Sequence, residues 1–325
     1  MKPAFTRSLA QAAMFAVAIF AGAPTHAQSD YPKQPIRMVV GFAPGGISDV
    51  LARALAAKVS TQVGQSVIVD NKAGAGTTIA GEVVAKAPPD GYTIWLQDIT
   101  THAINASLYP KLPYDTARDF TPITLVASTP LMLVVHPSSP FHGVRDLAKA
   151  PPGKLSYGSS GNGTIIHLAS EMLKNSQGLD ATHIPYKGSG PATQAILANE
   201  VSFVFSTMPP AVSNVKAGKL RALAVTTPKR VAAAPDVPTM GEAGVPNFEL
   251  VVYTGILGPK GMDPAIVRRL QTEFARALQS EDIRKVYDNL GAEPISTGPE
   301  ALGEMIVKES ARYAPLVKAS GAKVD

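Results

Sequence analysis

The apolar positions along the chain alternate between short buried strands and amphipathic helices. The first strand is predicted at 36–42, an almost continuous apolar run of the kind that a parallel sheet buries on both faces. Residues 44–46, Pro-Gly-Gly, interrupt this run, and apolar residues then recur at helical spacing from Val50, with Ser48 or Asp49 as the cap. Strand and helix repeat in this order, which predicts an α/β fold with parallel-rich sheets and helices on both faces.

The later part of the chain continues the same alternation. Strands are predicted at 66–69, 93–96, 131–136, 155–157, 183–185, 201–205, 220–226 and 249–257, and helices at 78–86, 164–174 and 191–198. We expect the strands at 131–136 and 249–257 to cross between two lobes, because each follows a segment that contains proline. The predicted domains are 28–128 with 252–325, and 129–251, and the two crossing strands would form a hinge.

Residues 1–27 are predicted to be a secretory signal peptide. Lys2 and Arg7 give a positive start, 9–22 is an apolar run, and small residues precede a cleavage site after about Ala27. A membrane anchor is the alternative, but the run is shorter than the roughly 20 residues needed to cross a bilayer. The mature protein is therefore expected in the periplasm.

Composition and charge exclude several classes of function. The chain has no cysteine, so disulfides, thiolate metal sites and cysteine nucleophiles are excluded. Beyond residue 27 the chain keeps 28 of its 30 basic residues and all 25 acidic ones, which gives a net charge of +3. That charge suits a small anionic ligand, without the basic stripe that nucleic-acid binding requires. Nucleotide-binding and histidine metal motifs are missing, so neither a cofactor nor a metal is expected.

Two segments of the form strand, glycine loop, helix are the candidates for a binding site. A helix N-terminus exposes unpaired N–H groups, and glycines allow an anion to approach them closely. The alternative is that both segments are only tight turns with an N-cap. The candidate residues are Gly161, Asn162, Gly163 and Thr164 with His167 one turn further on, and Ala43, Pro44, Gly45 and Gly46 with Ser48.

A series of ordered segments carries a resemblance to a known receptor family. The segments are 42–46 with Asp49 and Arg53, 69–76, 89–93, 102–105, 112–115, 119–120, 161–164, 185–188 and 217–225. Together they resemble the Bug family, the TctC-like solute-binding receptors of tripartite tricarboxylate transporters. The resemblance covers essentially the whole mature chain.

The resemblance implies a two-lobed periplasmic binding protein, a type II-like clamshell that closes on its ligand and is not an enzyme. The implied ligand is a small di-, tri- or aromatic carboxylate, held between 43–46 and the opposing loop at 161–164. The implied partners are the membrane permease subunits of a tripartite transporter, and the receptor is expected to be a monomer. Further expected cleft residues are Thr101 and His102 after the strand at 93–96, Ser206 and Thr207, and Tyr253.

The sequence departs from the family pattern at two places. Ser206-Thr207 stands where an Asp-Asn pair is frequent, so an ammonium group on the ligand would lack its acidic partner and an amino-acid ligand is disfavoured. Ile165 and Ile166 replace hydroxyl residues, which would make the pocket drier and favour an aliphatic or aromatic body if they face the cleft. The alternative, that both isoleucines face the core, is compatible with helical spacing.

Two other functions stay open at this stage. A receptor of this kind could serve a signalling protein rather than a permease. A periplasmic hydrolase could use His102 or His167 as its base, but the sequence shows no activated nucleophile.

Overall fold

The computed structural model describes residues 31–320 together with 322 and 324. The predicted signal peptide and its cleavage site lie outside these residues. Within them, no helix combines the length and the apolar character that a bilayer crossing requires.

The first half of the fold consists of three parallel strands with their helices and one long strand. In chain order the elements are β1 (Ile36–Val40), α1 (Ile47–Val63), β2 (Val67–Asn71), α2 (Thr78–Ala85), β3 (Thr93–Asp98), α3 (Ile99–Leu108) and β4 (Phe120–Val135). Strand β1 lies between β2 and β3 and is parallel to both. Helix α3 was not predicted, and Thr101 and His102 lie in its first turn.

The second half repeats this arrangement. Its elements are β5 (Leu155–Ser159), α4 (Ile165–Gln177), β6 (Ala181–Pro185), α5 (Ser189–Leu197), β7 (Phe203–Thr207), α6 (Met208–Lys216) and β8 (Arg221–Val225). Strand β5 lies between β6 and β7 and is parallel to both. The chain then forms β9 (Val251–Pro259), α7 (Pro264–Gln279), α8 (Glu281–Leu290), β10 (Glu293–Pro294) and α9 (Pro299–Ser320).

Strand β4 joins the two halves into one sheet of ten described strands, in the order β2-β1-β3-β9-β4-β7-β5-β6 with β8 and β10 also paired to β4. Strand β4 is 16 residues long, and the strand predicted at 131–136 covers only its last five residues. Residues 120–130 pair with β9, whereas 131–135 pair with β7 and β8. The partner of β4 therefore changes between Pro130 and Leu131.

The buried side chains explain why these elements stay together. The first core surrounds the fully buried Trp95 and includes Val39 of β1 and Leu257 of β9. The second core surrounds Tyr157 and Phe203 and also takes side chains from α3 and α9. The predicted α/β class is confirmed by this arrangement. The predicted domain limits stay a prediction. Helices α3 and α9 contribute side chains to the same core as the segment 129–251.

Candidate ligand-binding site

A small cavity lies where parallel strands from both halves of the sheet end. Ligands of open α/β sheets bind at this position, beyond the carboxyl ends of the strands. The enclosed interior of the cavity is about 20 Å³, room for about one water molecule, so the cavity must widen to admit a ligand. The residues that line the cavity are Phe42, Gly46, Ile47, Ser48, Asp98, Ser160, Ile165, Ile166, Ser189, Thr207 and Val252.

Five helices begin at this cavity, each directly after a strand or its loop. Their N-cap residues are Gly46 of α1, Asp98 of α3, Thr164 of α4, Gly188 of α5 and Thr207 of α6. The caps of α1, α5 and α6 make no side-chain hydrogen bond to the first turn. Helix starts without such a cap leave backbone N–H groups available, and the helix dipoles add positive potential. The cavity is therefore suited to an anion.

The loop between β1 and α1 is held from outside the cavity by Asp49. Its carboxylate accepts a hydrogen bond from the N–H of Gly45 at 3.1 Å and from Asn71 Nδ2 at 3.0 Å, and it pairs with Arg53 at 2.8 Å. Burial alone would raise the pKa of Asp49, but the hydrogen bonds from Arg53, Gly45 and Asn71 hold it below its usual value. The ionised Asp49 thus fixes the loop and leaves Gly46 and Ser48 facing the cavity.

The same loop contacts the second half of the molecule through its backbone. The N–H of Ala43 donates to the carbonyl oxygen of Lys187 at 2.9 Å. A Cβ atom on Gly46 would lie 2.7 Å from Ser189 Oγ, so a larger residue there would displace the Ser189 hydroxyl. Pro44 and Gly45 line a neighbouring surface groove instead of the cavity.

The glycine loop before α4 is arranged differently from the first loop. Thr164 Oγ1 accepts the N–H of His167 at 3.4 Å and donates to the carbonyl oxygen of Gly161 at 2.9 Å. Gly163 has a φ of +80°, and a Cβ there would lie 2.9 Å from Asn105 Oδ1. Gly161 and Asn162 line a separate cleft. From this segment Ser160, Ile165 and Ile166 reach the cavity, and both isoleucines also belong to the second core.

His167 lies behind the glycine loop in a stack of rings. Its ring packs on His183 with centroids 4.0 Å apart, and His183 packs on Tyr157 at 4.8 Å. His167 Nδ1 accepts the N–H of Gly163 at 3.2 Å, while the hydroxyl of Tyr157 donates to Glu171. Burial lowers the pKa of His167. The negative charge of Glu171 raises it, and the positive charge of Lys174 lowers it further. His167 therefore supports the loop as a neutral ring.

One serine–histidine pair in the described chain resembles half of a hydrolytic site. Ser159 Oγ lies 2.6 Å from His183 Nε2. Ser159 is fully buried and is not part of the cavity lining. Burial first, and then the proximity of His167 and Lys174, lower the pKa of His183 to about 3, which makes it a weak base. The pair stabilises the loop rather than attacking a substrate.

Three further predicted residues, on other elements, also lie away from the cavity. His102 is fully buried, its Nε2 lies 2.8 Å from the carbonyl oxygen of Thr116, and it packs edge-on to Trp95. Burial lowers the pKa of His102 to about 4, against a raising effect of the Thr116 carbonyl. Ser206 Oγ is 3.0 Å from Thr193 Oγ1, and Tyr253 packs against the first core. All three act as structural residues in this conformation.

Thr101 lies one step behind the cavity and connects two of the helix starts. Its hydroxyl donates to Asp98 Oδ2 at 2.7 Å and accepts the N–H of Ile165 at 3.3 Å. The first residue of α4 is thereby linked to the N-cap of α3. Thr101 has a positioning role that the sequence pattern did not reveal.

The cavity residues that were not predicted are Phe42, Ile47, Asp98, Ser160, Ser189 and Val252. Most of them directly follow a predicted strand or begin a helix, which was the signal that could have identified them. Among the described residues, no group of three or more side chains could hold a metal ion.

Comparison with known proteins identifies the family that the chain resembles. The family model of the tripartite tricarboxylate transporter family receptor, TctC, matches residues 51–322. Protein BugT of Bordetella pertussis is 36% identical over 323 residues, 98% of this chain and 99% of that protein.

Two solved structures with bound ligands are also similar. Rpa4515 of R. palustris with adipate superposes with a TM-score of 0.87 at 35% identity, over 90% of this chain and 100% of that chain. MatC from Rhodopseudomonas palustris with bound malate superposes with a TM-score of 0.85 at 31% identity, over 88% and 100%. Likeness of this extent to solved periplasmic binding proteins confirms the predicted two-lobed clamshell class.

Proposed function

The chain belongs to the TctC family of tripartite tricarboxylate transporter receptors, and from that premise we propose that it captures a small aliphatic dicarboxylate. Membership in this family, together with the fold, makes the protein a solute-binding receptor and not an enzyme. The predicted carboxylate ligand is supported by the relatives that hold adipate and malate.

The convergence of five helix starts on a cavity without a cationic side chain carries the proposal. No lysine, arginine or histidine lines the cavity, so each ligand carboxylate would be neutralised by N–H and O–H donors alone. The available hydroxyls belong to Ser48 on one side and to Ser160, Ser189 and Thr207 on the other. Four hydroxyls and the uncapped N–H groups suit two ligand carboxylates better than the three carboxylates of a tricarboxylate.

The apolar part of the cavity favours an aliphatic body for the ligand. Phe42, Ile165, Ile166 and Val252 line the cavity and offer no hydrogen-bonding side chain. Burying methylene groups against such a surface contributes about 0.8 kcal/mol per CH₂. A hydroxyl or an ammonium group there would lose its water without a replacement.

Of the predicted ligand contacts, we retain Gly46, Ser48 and Thr207 as direct contacts of the ligand. We propose that Ala43, Pro44, Gly45, Gly161, Asn162, Gly163, Thr164 and His167 act by shaping the two loops. The proposed mature receptor works in the periplasm, with the permease subunits of a tripartite transporter as partners. It is proposed to be monomeric, since the large apolar side chains exposed in the described chain are scattered at Ile68, Ile79 and Val307.

A thermal-shift series with the mature protein tests the proposal. The ligands are succinate, adipate, malate, citrate, glutamate and benzoate, each at the same concentration. A ligand present at about 100 times its Kd stabilises the protein by about 2.7 kcal/mol, and this raises Tm by several degrees. We expect the largest shifts with adipate and succinate and the smallest with citrate and glutamate. If no carboxylate raises Tm, the proposed function is wrong.

A further inference from the structure

We propose that Asp98 takes up a proton when the dicarboxylate binds, so that this receptor couples ligand capture to protonation of a cavity residue. The inference rests on the proposed function. It starts from an unexpected feature of the lining: the one ionisable side chain in it is an acid, although the ligand is an anion.

The position of Asp98 makes its charge consequential. It is 4% exposed, and it is the N-cap of α3. Its Oδ1 accepts the N–H of Thr101 at 3.0 Å, and its Oδ2 accepts the Thr101 hydroxyl at 2.7 Å. Both hydrogen bonds come from neutral groups. Among the described residues, no cationic side chain pairs with Asp98 to compensate its charge.

The surroundings of Asp98 supply little further charge. On α9, burial raises the pKa of Tyr313. The positive charge of Arg312 lowers it, and the negative charges of Glu309 and Asp98 raise it. On α3, His102 is directed toward Thr116, and on α4, His167 is bonded to Gly163. On β9, Thr254 pairs with Asp98 in the sheet register, and its buried hydroxyl has no partner.

A ligand carboxylate in this cavity would face an ionised Asp98 at short range. Two like charges in a water-excluded site repel strongly, and the usual outcome is that one of them binds a proton. Burial raises the pKa of Asp98 to about 6, although hydrogen bonds from Thr101 and Thr100 lower it. The free receptor is thus largely ionised at pH 7.5, and the approach of a second carboxylate raises the pKa of Asp98 further.

Protonation also gives Asp98 a donor that it otherwise lacks. The neutral acid has one O–H group, which can donate to the ligand carboxylate. Its other oxygen can keep the hydrogen bond from the N–H of Thr101. Because the Thr101 hydroxyl also accepts the N–H of Ile165, the protonation state of Asp98 is linked to the start of α4.

Isothermal titration calorimetry with adipate tests this proposal. Binding enthalpies measured at pH 7.5 in phosphate and in Tris give the number of protons taken up, since the two buffers differ in ionisation enthalpy. We expect about one proton for the wild type, and an affinity that rises up to about tenfold per unit as pH falls from 8.5 toward 7. In Asp98→Asn, which keeps an N-cap of the same shape, we expect no proton uptake and no such pH dependence.

Two further variants make the result specific. Asp263→Asn makes the same change at the N-cap of α7, outside the cavity lining, and should behave like the wild type. Asp98→Ser also removes the titratable group and replaces Asp98→Asn if that variant does not fold. Adipate binding without proton uptake would overturn the inference and leave the proposed function standing. Absence of binding by every carboxylate would overturn both.

Strong binding of glutamate with loss of that binding in Asp98→Asn would also overturn the inference. It would show that Asp98 stays ionised and pairs with an ammonium group. Proton uptake that persists unchanged in both Asp98 variants would assign the proton to another group, with the same consequence for the proposal.

Discussion

The two glycine loops of this receptor have the same local pattern and make different walls of the cavity. In the first loop the cap of α1 is Gly46, which makes no side-chain bond, and Gly46 and Ser48 face the cavity. In the second loop Thr164 caps α4 itself, and Ile165 and Ile166 face the cavity. The first loop offers Ser48 and the uncapped N–H groups of α1 to the cavity, whereas the second loop offers the apolar surface of two isoleucines beside Ser160.

The difference arises from what lies behind each loop. Asp49 holds the first loop through groups on its outer side, so its inner N–H groups remain available. The second loop is held by its own Thr164 and by His167, which accepts the N–H of Gly163. A glycine-rich helix start is therefore a donor site only where no side chain of the same loop already uses those N–H groups.

The largest expected effect comes from the contact between the two halves at Gly46. In Gly46→Val the new side chain would begin 2.7 Å from Ser189 Oγ, so it displaces that hydroxyl and its methyl groups occupy part of the small cavity. We expect adipate affinity in calorimetry to fall by at least about 100-fold, equivalent to about 2.7 kcal/mol.

Gly143→Val is the matched control for that change. Gly143 is also an N-cap glycine with extended backbone, and the nearest atom to its Cβ is at an ordinary 3.8 Å. Retained affinity in Gly46→Val would show that the first loop does not need to approach Ser189.

A second effect is expected at Thr101, which links the start of α3 to the start of α4. Thr101→Val removes the acceptor of the Ile165 N–H and one donor to Asp98. An unsatisfied buried group costs about 1–3 kcal/mol, so we expect an affinity loss of about tenfold or more. Thr129→Val is the control, because the Thr129 hydroxyl is buried without a partner. Equal effects of the two substitutions would contradict the link.

A smaller effect is expected at Ile166, in the apolar part of the cavity lining. Ile166→Thr and Ile166→Val remove similar volume, but only threonine adds a hydroxyl to the cavity surface. The ratio of malate to succinate affinity should rise about fivefold in Ile166→Thr relative to Ile166→Val, since one satisfied hydrogen bond is worth about 1 kcal/mol. An unchanged ratio would mean that Ile166 faces the core in the complex and does not contact the ligand body.

The smallest expected signal is the pH dependence of stability, because two buried groups, Asp98 and His183, act in opposite directions. The pKa of Asp98 is raised to about 6, so the native state binds the extra proton and stability increases as pH falls from about 6 toward 4. The pKa of His183 is lowered to about 3, so the unfolded state binds the extra proton and stability decreases as pH falls below 6.5. In the wild type the two contributions partly cancel.

Variants separate the two contributions to the pH dependence. Measured between pH 7 and 4.5, the Tm of Asp98→Asn should fall more steeply with acidification than that of the wild type, and the Tm of His183→Gln less steeply. Parallel curves for all three proteins would show that neither group is perturbed as described.

The order of strands and helices was largely predictable, since runs of apolar residues and glycine breaks report burial and turns locally. The prediction was wrong where local pattern and tertiary pairing differ. The apolar pattern of residues 120–130 did not predict a strand, but these residues form one by pairing with β9. His102 follows a strand, as a cleft residue would, but α3 turns it into the aromatic core.

The sequence by itself determined that the chain is an α/β receptor of the TctC family with glycine-rich helix starts suited to an anion. Those properties depend on residues that are neighbours along the chain. Only the tertiary structure decided which loop keeps its N–H groups free, that Ile165 and Ile166 line the cavity and belong to the second core, and that Asp98 lines the cavity. These depend on contacts between distant segments, such as Gly46 with Ser189 and Thr101 with Ile165, which no local pattern encodes.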